Sequence, residues 1–490
     1  MRFRREFDMQ NETSKTKTPR KPKIYHSLIT FGILIVVMAV AIIVYGVDVH
    51  VPMFIGVIAA ACMALYLGYQ WDVIEKAMMD GVYNALQAII ILAIVGVLIG
   101  VWIVGGIVPS MIYYGLKLLS PSVFLVAALL ICSITSLATG TAWGTMGTMG
   151  LALIGIAVGL GIPAPMAAGA IISGAYFGDK VSPLSDTTVL ASSSSGTDLF
   201  THIRYMMFTT VPSISVALVV FLVASLMHNP DAVPSTAEYS DALRSTFRIS
   251  PLLLIVPIFT FFLIIKKVPA ILTLMVSAFV AGLAALLFQP GIVASIGGSD
   301  VISTGACIKG MMMSWFAGTS VDTGSELVNT LTATRGMGGM LNTVFLIICA
   351  VTFGAAMTGS GMFQGITEAL TRHIRRRVPS VAATVTTGIV SNVITADQYL
   401  SIILSASLFK DLYRKNSLES RLLSRSVEDS ATVCSVLIPW NSCGMTQATV
   451  LGVATVVYFP YCIFNIVSPL MSILVAAIGS RKKPQVSKSV

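Results

Sequence analysis

At least ten stretches of this 490-residue chain are apolar for long enough to cross about 30 Å of hydrocarbon at about 1.5 Å per helical residue. That pattern constrains the fold more than any motif does. The chain reads as an all-α polytopic membrane protein. Composition agrees: 55% of residues are hydrophobic, 11% are charged and the mean hydropathy is +0.86, whereas a soluble protein carries roughly 25% charge. The first apolar run, 27–46, follows 26 mostly polar residues with no short cleavable signal pattern, so it reads as a retained span.

The net charge of +9 is a matter of loops, not of nucleic-acid binding. Full spans are expected near 27–46, 51–69, 82–104, 165–195, 205–227, 249–265, 269–288, 342–358, 427–450 and 456–478. Ten crossings return both termini to one side. The loops on that side then hold 25 of the 31 Lys and Arg residues. The other side holds Lys117, Arg244, Arg248, Lys309 and Arg335, and Lys180 falls inside a span. Positive loops face the cytoplasm. Tails 1–26 and 481–490 are therefore expected inside the cell, with a transporter domain at 27–480. Segment 229–247 reads as a polar outer loop, and 289–341 as an outer loop with a short helix or partial span. The seven cysteines show no CxxC or CxxH spacing, so neither a metal cluster nor a disulfide framework is expected.

Two apolar stretches do not fit as single crossings. Residues 379–409 lie between Arg375, Arg376 and Arg377 on one side and Lys410 on the other, so both ends are expected inside. Residues 121–158 begin and end outside. Each reads as a re-entrant hairpin or as two spans with a tight turn. The polar tips, Ser136 to Thr145 and Ser391 to Asp397, favour hairpins, because non-helical backbone at that depth must line a cavity or be buried in protein. The hairpins also suggest a duplication. Pro121-Ser-Val and Pro379-Ser-Val open apolar runs 258 positions apart, and that offset pairs Thr139 with Asp397. Pro183-Leu-Ser-Asp precedes Pro439-Trp-Asn-Ser by 256. One copy enters from outside and the other from inside, as in an inverted repeat, with repeat 1 at about 82–227 and repeat 2 at about 342–478.

Within repeat 1, the string Ser173-Gly-Ala-Tyr-Phe-Gly-Asp-Lys-Val-Ser-Pro-Leu-Ser-Asp-Thr-Thr188 puts Asp179, Lys180 and Asp186 where bilayer is expected. Charges there are costly and mark ion or substrate paths. Gly178 and Pro183 interrupt the helix, and broken helices are how transporters build cation sites. Hard cations such as Na⁺ take oxygen ligands. The candidate cation- and proton-binding set is Asp179, Ser182, Ser185, Asp186, Thr187 and Thr188 from the first break, Asn392, Thr395 and Asp397 from the second hairpin, and Asp429, Asn441 and Ser442 from the second break, with Na⁺ at Asp179 and Asp186. Lys180 reads either as half of a buried ion pair or as a contact for an anion. Glu428 and Asp429 lie near the cytoplasmic side and also fit a helix cap. His202 reads as a pH sensor or a plain interfacial histidine.

The strings 174–188, 196–204 and 427–444 resemble signatures of the NhaC-type sodium/proton antiporters, and the resemblance covers about residues 25–480. It implies the ion-transporter superfamily, with inverted repeats and re-entrant hairpins, in a bacterial or archaeal inner membrane. Members exchange Na⁺ for H⁺, or couple malate and lactate exchange to Na⁺ and H⁺. Val189, Cys434 and Val436 depart from the family pattern, which puts the substrate in question more than the family. The resulting expectation is a secondary active Na⁺/H⁺ antiporter, not an enzyme, working without a cofactor. Its partners are Na⁺, H⁺ and the lipid bilayer. The alternative is a Na⁺-coupled exchanger of small carboxylates, clamped by Lys180, Asn392 and Asn441. Homo-oligomerisation is left open.

Overall fold

Apolar runs interrupted by Gly, Pro and hydroxyl residues fold into helices that break at those interruptions. The computed structural model describes residues 19–47, 49–227, 236–266, 268–325, 328–329, 332–371 and 374–479. Most of both expected cytoplasmic tails and part of the 229–247 loop lie outside the described residues. In chain order the helices are α1 (Ile24–Ala39), α2 (His50–Tyr66), α3 (Trp71–Val104), α4 (Ile107–Leu118), α5 (Pro121–Thr139), α6 (Ala142–Gly159), α7 (Ala164–Val181), α8 (Asp186–Ser195), α9 (Leu199–Met227), α10 (Thr236–Thr246) and α11 (Ile255–Ile265). There follow α12 (Ala270–Phe288), α13 (Pro290–Ile296), α14 (Thr304–Phe316), α15 (Leu341–Gly359), α16 (Met362–Thr371), α17 (Arg377–Thr395), α18 (Gln398–Lys415), α19 (Ser420–Val427), α20 (Ser442–Leu451), α21 (Thr455–Tyr458) and α22 (Ile463–Gly479). The β-structure among the described residues is one isolated bridge, Thr319 to Thr334.

Among the described residues, seven helices are individually long and apolar enough to cross a membrane, and up to nine if each bent pair is one span. Exposed apolar side chains such as Leu28, Phe54, Phe208, Val219, Phe279 and Leu287 form the outward surface that lipid would cover. Three details differ from the sequence reading. The polar loop near 240 contains α10, which buries Tyr239 and Leu243 in the main core and meets the following helical segment at 92°. Segment 289–341 carries two helices, and α14 approaches α3 closely where Gly100 faces the Ser314 carbonyl. The span 427–450 is broken, as expected, but at two points. A π-turn (Glu428–Thr432) and a 3₁₀ turn (Ser435–Leu437) separate α19 from α20.

Both hairpins form, and each returns to the end it started from. In the second, the Asn416 side chain donates to the Ile374 carbonyl at 3.3 Å and lies 3.4 Å from the Ser380 hydroxyl, so the two ends meet. In the first, α5 runs parallel to α7 in fixed register: Gly174 lies against Leu129, and Gly178 against Ser133. Helix α6 ends only four residues before α7 begins, so Gly159 comes back to the level of Pro121. Glycine at 174 and 178 lets two backbones touch, the contact by which small residues join membrane helices.

The duplication is element for element, at an offset of 256. Helices α5 and α17 span 121–139 and 377–395. Both are followed by a left-handed residue, Gly140 (φ 67°) or Ala396 (φ 55°), and then by a capping residue, Thr141 or Asp397. Helices α8 and α20 span 186–195 and 442–451, capped by Ser185 and Asn441, and end at left-handed Gly196 and Gly452. The offset of 258 expected for the hairpins is therefore two too many. Thr141, not Thr139, is the counterpart of Asp397. The shared Pro-Ser-Val misleads because it starts α5 at its first residue but α17 at its third.

Candidate ion-binding site

Each break ends one helix and starts another, leaving amide groups at the new N-terminus that need acceptors. The sequence supplies one at every break. The Thr141 hydroxyl accepts from the Gly144 amide at 3.3 Å, and Asp397 Oδ1 from the Leu400 amide at 2.8 Å. Asn441 Oδ1 accepts from the Cys443 amide at 3.0 Å, and the Ser185 hydroxyl is 3.5 Å from the Thr188 amide. Hairpin and break touch in both halves. Gly140 lies against the Leu184 backbone, and the Ala396 carbonyl accepts from the Ser442 amide at 2.8 Å. Glycine is required at 140, where the backbone is left-handed and a methyl group would meet Leu184.

Between the two tips lies a cavity of ≈ 580 Å³. Asp179, Asp186 and Asp397 all line it, with the hydroxyls of Thr139, Thr141, Ser185 and Thr187. Asp179 and Asp397 are buried, and Asp186 is exposed at the mouth. The amides of Asn84, Gln87 and Gln398, the Thr273 hydroxyl and the Tyr399 phenol add to the polar lining, and none of the described lining residues is Lys, Arg or His. The sequence reading missed Asn84 and Gln87. They lie three residues apart on one face of the otherwise apolar run 82–104, and that spacing was the available signal. Among the described residues no cluster of three or more His, Cys, Asp or Glu side chains has metal-binding geometry. A cation here would rely on carboxylates together with hydroxyl and carbonyl oxygens.

The remaining candidates fall elsewhere. Lys180 forms a fully buried ion pair with Asp429 and donates to the Ser468 hydroxyl at 2.9 Å. Asp429 Oδ1 also accepts from the Thr209 hydroxyl at 3.0 Å, and its Oδ2 lies 3.8 Å from Arg425 Nε. The pair joins α7 of the first half to the π-turn of the second, away from the cavity lining. The ion-pair alternative for Lys180 is the one the geometry carries, and the expected cation ligand Asp429 is already neutralised.

Asn392 and Asn441 bond to each other at 3.1 Å, and Asn392 donates to the Ala431 carbonyl at 2.6 Å. Thr395 bonds Ser401 at 2.9 Å, Thr188 donates to the Lys180 carbonyl at 3.1 Å, and Ser182 accepts from the Leu184 amide at 3.2 Å. These groups, with Ser442, hold the breaks together. His202 is fully buried, with Nδ1 2.9 Å from the Ser424 hydroxyl. In the same string Asp198 caps α9 through the Thr201 amide at 2.9 Å, which keeps its carboxyl below its usual pKa. Glu428, read as a site carboxylate or a helix cap, caps nothing. It is completely buried, and its only hydrogen bond among the described residues is from the Thr187 hydroxyl.

Residues 174–480 match the family model of the Na⁺/H⁺ antiporter family. The chain is 35% identical over 460 residues to the Na(+)/H(+) antiporter NhaC of Alkalihalophilus pseudofirmus, covering 94% of this chain and 96% of the relative. It is 34% identical over 465 residues to the malate-2H(+)/Na(+)-lactate antiporter of Bacillus subtilis, covering 94% and 96%. It is also 34% identical over 468 residues to the arginine/ornithine antiporter ArcD of Halobacterium salinarum, covering 94% and 93%.

Proposed function

The chain belongs to the Na⁺/H⁺ antiporter family, and on that premise we propose that it exchanges Na⁺ for H⁺ at the cavity between its hairpin tips. One observation carries the assignment to this site: three carboxylates converge on an oxygen-lined cavity that has no basic side chain among its described lining residues. Asp179 and Asp397 are the buried ion-binding carboxylates, Asp186 is the acceptor at the mouth, and Thr139 and Thr141 supply hydroxyl oxygens. A carboxylate holding a proton cannot also neutralise a sodium ion. Protonation and Na⁺ binding therefore exclude each other, and alternating exposure of the cavity converts that exclusion into exchange. Transport takes the place of catalysis, and Na⁺ and H⁺ are the only small species the cycle requires. The membrane is a bacterial or archaeal inner membrane, with both termini cytoplasmic.

The rival reading is carboxylate exchange coupled to Na⁺, in line with the relative named for malate and lactate. An organic anion in this cavity needs a cation or amide clamp. Lys180, Asn392 and Asn441, the expected clamp, are all engaged elsewhere, which leaves the Asn84 and Gln87 amides of the lining to hold an anion. The test is Na⁺ binding by purified protein across pH, with and without malate or lactate. Where the carboxylates are mostly protonated, apparent Na⁺ affinity should fall about tenfold per unit drop in pH for each proton that Na⁺ displaces, since a unit of pH is worth about 1.4 kcal/mol of competing protonation. Affinity independent of pH but raised by the organic anion would establish the rival instead.

A further inference from the structure

Glu428 is unlike the other carboxylates. Asp179, Asp186 and Asp397 face the cavity, and Asp429 has Lys180. Among the described residues, Glu428 neither lines the cavity nor has a cation paired to it. Its side chain is fully buried, Oε1 accepts from the Thr187 hydroxyl at 3.4 Å, and Oε2 has no partner of hydrogen-bonding geometry among the described residues, the Thr432 hydroxyl being the further donor near the carboxyl. A buried ionised carboxylate normally carries a counter-charge or several donors, because leaving it without them costs several kcal/mol. The geometry suits a carboxylic acid.

The π-turn Glu428–Thr432 places this acid behind the cavity wall. Thr187 lines the cavity on one side and reaches Glu428 on the other. The Thr187 hydroxyl is also 2.9 Å from the Ser185 hydroxyl, and Ser185 lines the cavity too. Two hydroxyls thus connect Glu428 to the space where the ion binds. Resting on the antiport reading above, we propose that Glu428 is a second proton-binding residue, exchanging its proton with the cavity through Thr187 and Ser185 each time Na⁺ binds and leaves.

The hops balance. In uptake, Thr187 gives its hydroxyl proton to Glu428 Oε1 and receives one from Ser185, which is replenished from the cavity. Release runs in reverse, and neither hydroxyl changes its net protonation. The charges around Glu428 make its proton exchangeable. Asp179 and Lys180 face it from α7, and Asp429 is its neighbour on the π-turn. Arg425 lies one turn before, and His202 on α9 is bonded to Ser424. Lys180 and Arg425 are both directed at Asp429, leaving one positive charge in surplus. That surplus favours an ionised Glu428, while burial and the orphaned oxygen favour the acid. An ion arriving at Asp179 shifts this balance by adding positive charge nearby, and the proton leaves.

Glu428→Gln keeps the shape and removes the exchangeable proton. Two measurements test it, each in purified wild-type and variant protein. The first is the H⁺/Na⁺ ratio in proteoliposomes, from the Na⁺ gradient that just halts flux against a set pH gradient. It should fall by one proton per Na⁺ in the variant. The second is infrared difference spectroscopy, which reads the carboxyl proton even in a variant that no longer transports. The protonated-carboxyl signal seen without Na⁺ should include one component that shrinks when Na⁺ is added and is missing from Glu428→Gln, while the components from Asp179 and Asp397 remain. An unchanged transport ratio, a signal that loses no component in the variant, or a Glu428 component that ignores Na⁺ would each overturn the proposal. Wild-type protein that moves no protons when given Na⁺ refutes the antiport reading itself, a distinct result.

Discussion

The buried Lys180–Asp429 pair allows a graded prediction. Each of its charges has a different fallback. If Lys180 becomes Met, Asp429 keeps the Thr209 hydroxyl at 3.0 Å and still has Arg425 3.8 Å away. If Asp429 becomes Asn, Lys180 and Arg425 are both left without an anion, in a region with no solvent exposure. Removing one partner of a buried pair costs about 3–5 kcal/mol when the other is stranded. Asp429→Asn should therefore lie at the upper end of that range. Lys180→Met should cost less, about 1–3 kcal/mol, because a carboxylate with a hydroxyl donor and a nearby guanidinium is not fully stranded. The double variant removes both charges and leaves only Arg425 to accommodate. Its cost should fall short of the sum of the single costs by about 2–3 kcal/mol, at the high end for coupled contacts. Reversible unfolding in mixed micelles at pH 7, run as a double-mutant cycle, measures all three values. Single costs that add within about 0.5 kcal/mol, or a Lys180→Met variant less stable than Asp429→Asn, would refute this account of the cluster.

Four further outcomes follow from the site and its supports. Asp179→Asn and Asp186→Asn should insert normally yet lose Na⁺-dependent proton flux in proteoliposomes, since an amide cannot hold the exchanged proton. Asp397→Ala should lose about 1 kcal/mol of stability in micelle unfolding, because it deletes the cap on the Leu400 amide, whereas Asp397→Asn keeps a capping oxygen and should lose well under half of that. Gly178→Ala should destabilise by about 1–3 kcal/mol in the same assay, because its methyl would lie 2.6 Å from the Leu137 backbone nitrogen, which cannot move without moving α5. Single cysteines at 376 and 412 in a cysteine-free background should both react only with reagent applied from the cytoplasm, as the joined ends of the second hairpin require.

The parts of the site legible in sequence were those written in short strings. Proline, glycine and hydroxyl residues in an apolar run announce a broken helix, and the breaks at 140, 184 and 396 fall where such residues cluster. Asp179, Asp186 and Asp397 could be picked out because charge inside an apolar run needs a reason. Pairings across the fold were hidden. Nothing within 427–444 indicates that Lys180, 249 positions earlier, neutralises Asp429 and leaves Glu428 with only a hydroxyl. The tip register was also obscured, because an identical tripeptide is a weaker guide than a left-handed residue followed by a cap. Ala396 takes that conformation without being glycine, so a search for glycine alone misses the second tip.

The constant spacing between the halves says something about their history. From 121 to 196 and from 377 to 452, helix starts, caps and left-handed stops keep step without one residue gained or lost, although few letters still agree. Replacing a side chain changes one contact. Inserting a residue into α5 or α8 would rotate everything beyond it by about 100°, at 3.6 residues per turn, and carry a capping oxygen or a carboxylate off the cavity. Drift has therefore been free to rewrite this pair of modules but not to lengthen them. Loop grafts and affinity tags should be carried between α9 and α10 or between α14 and α15, where no residue count is being kept.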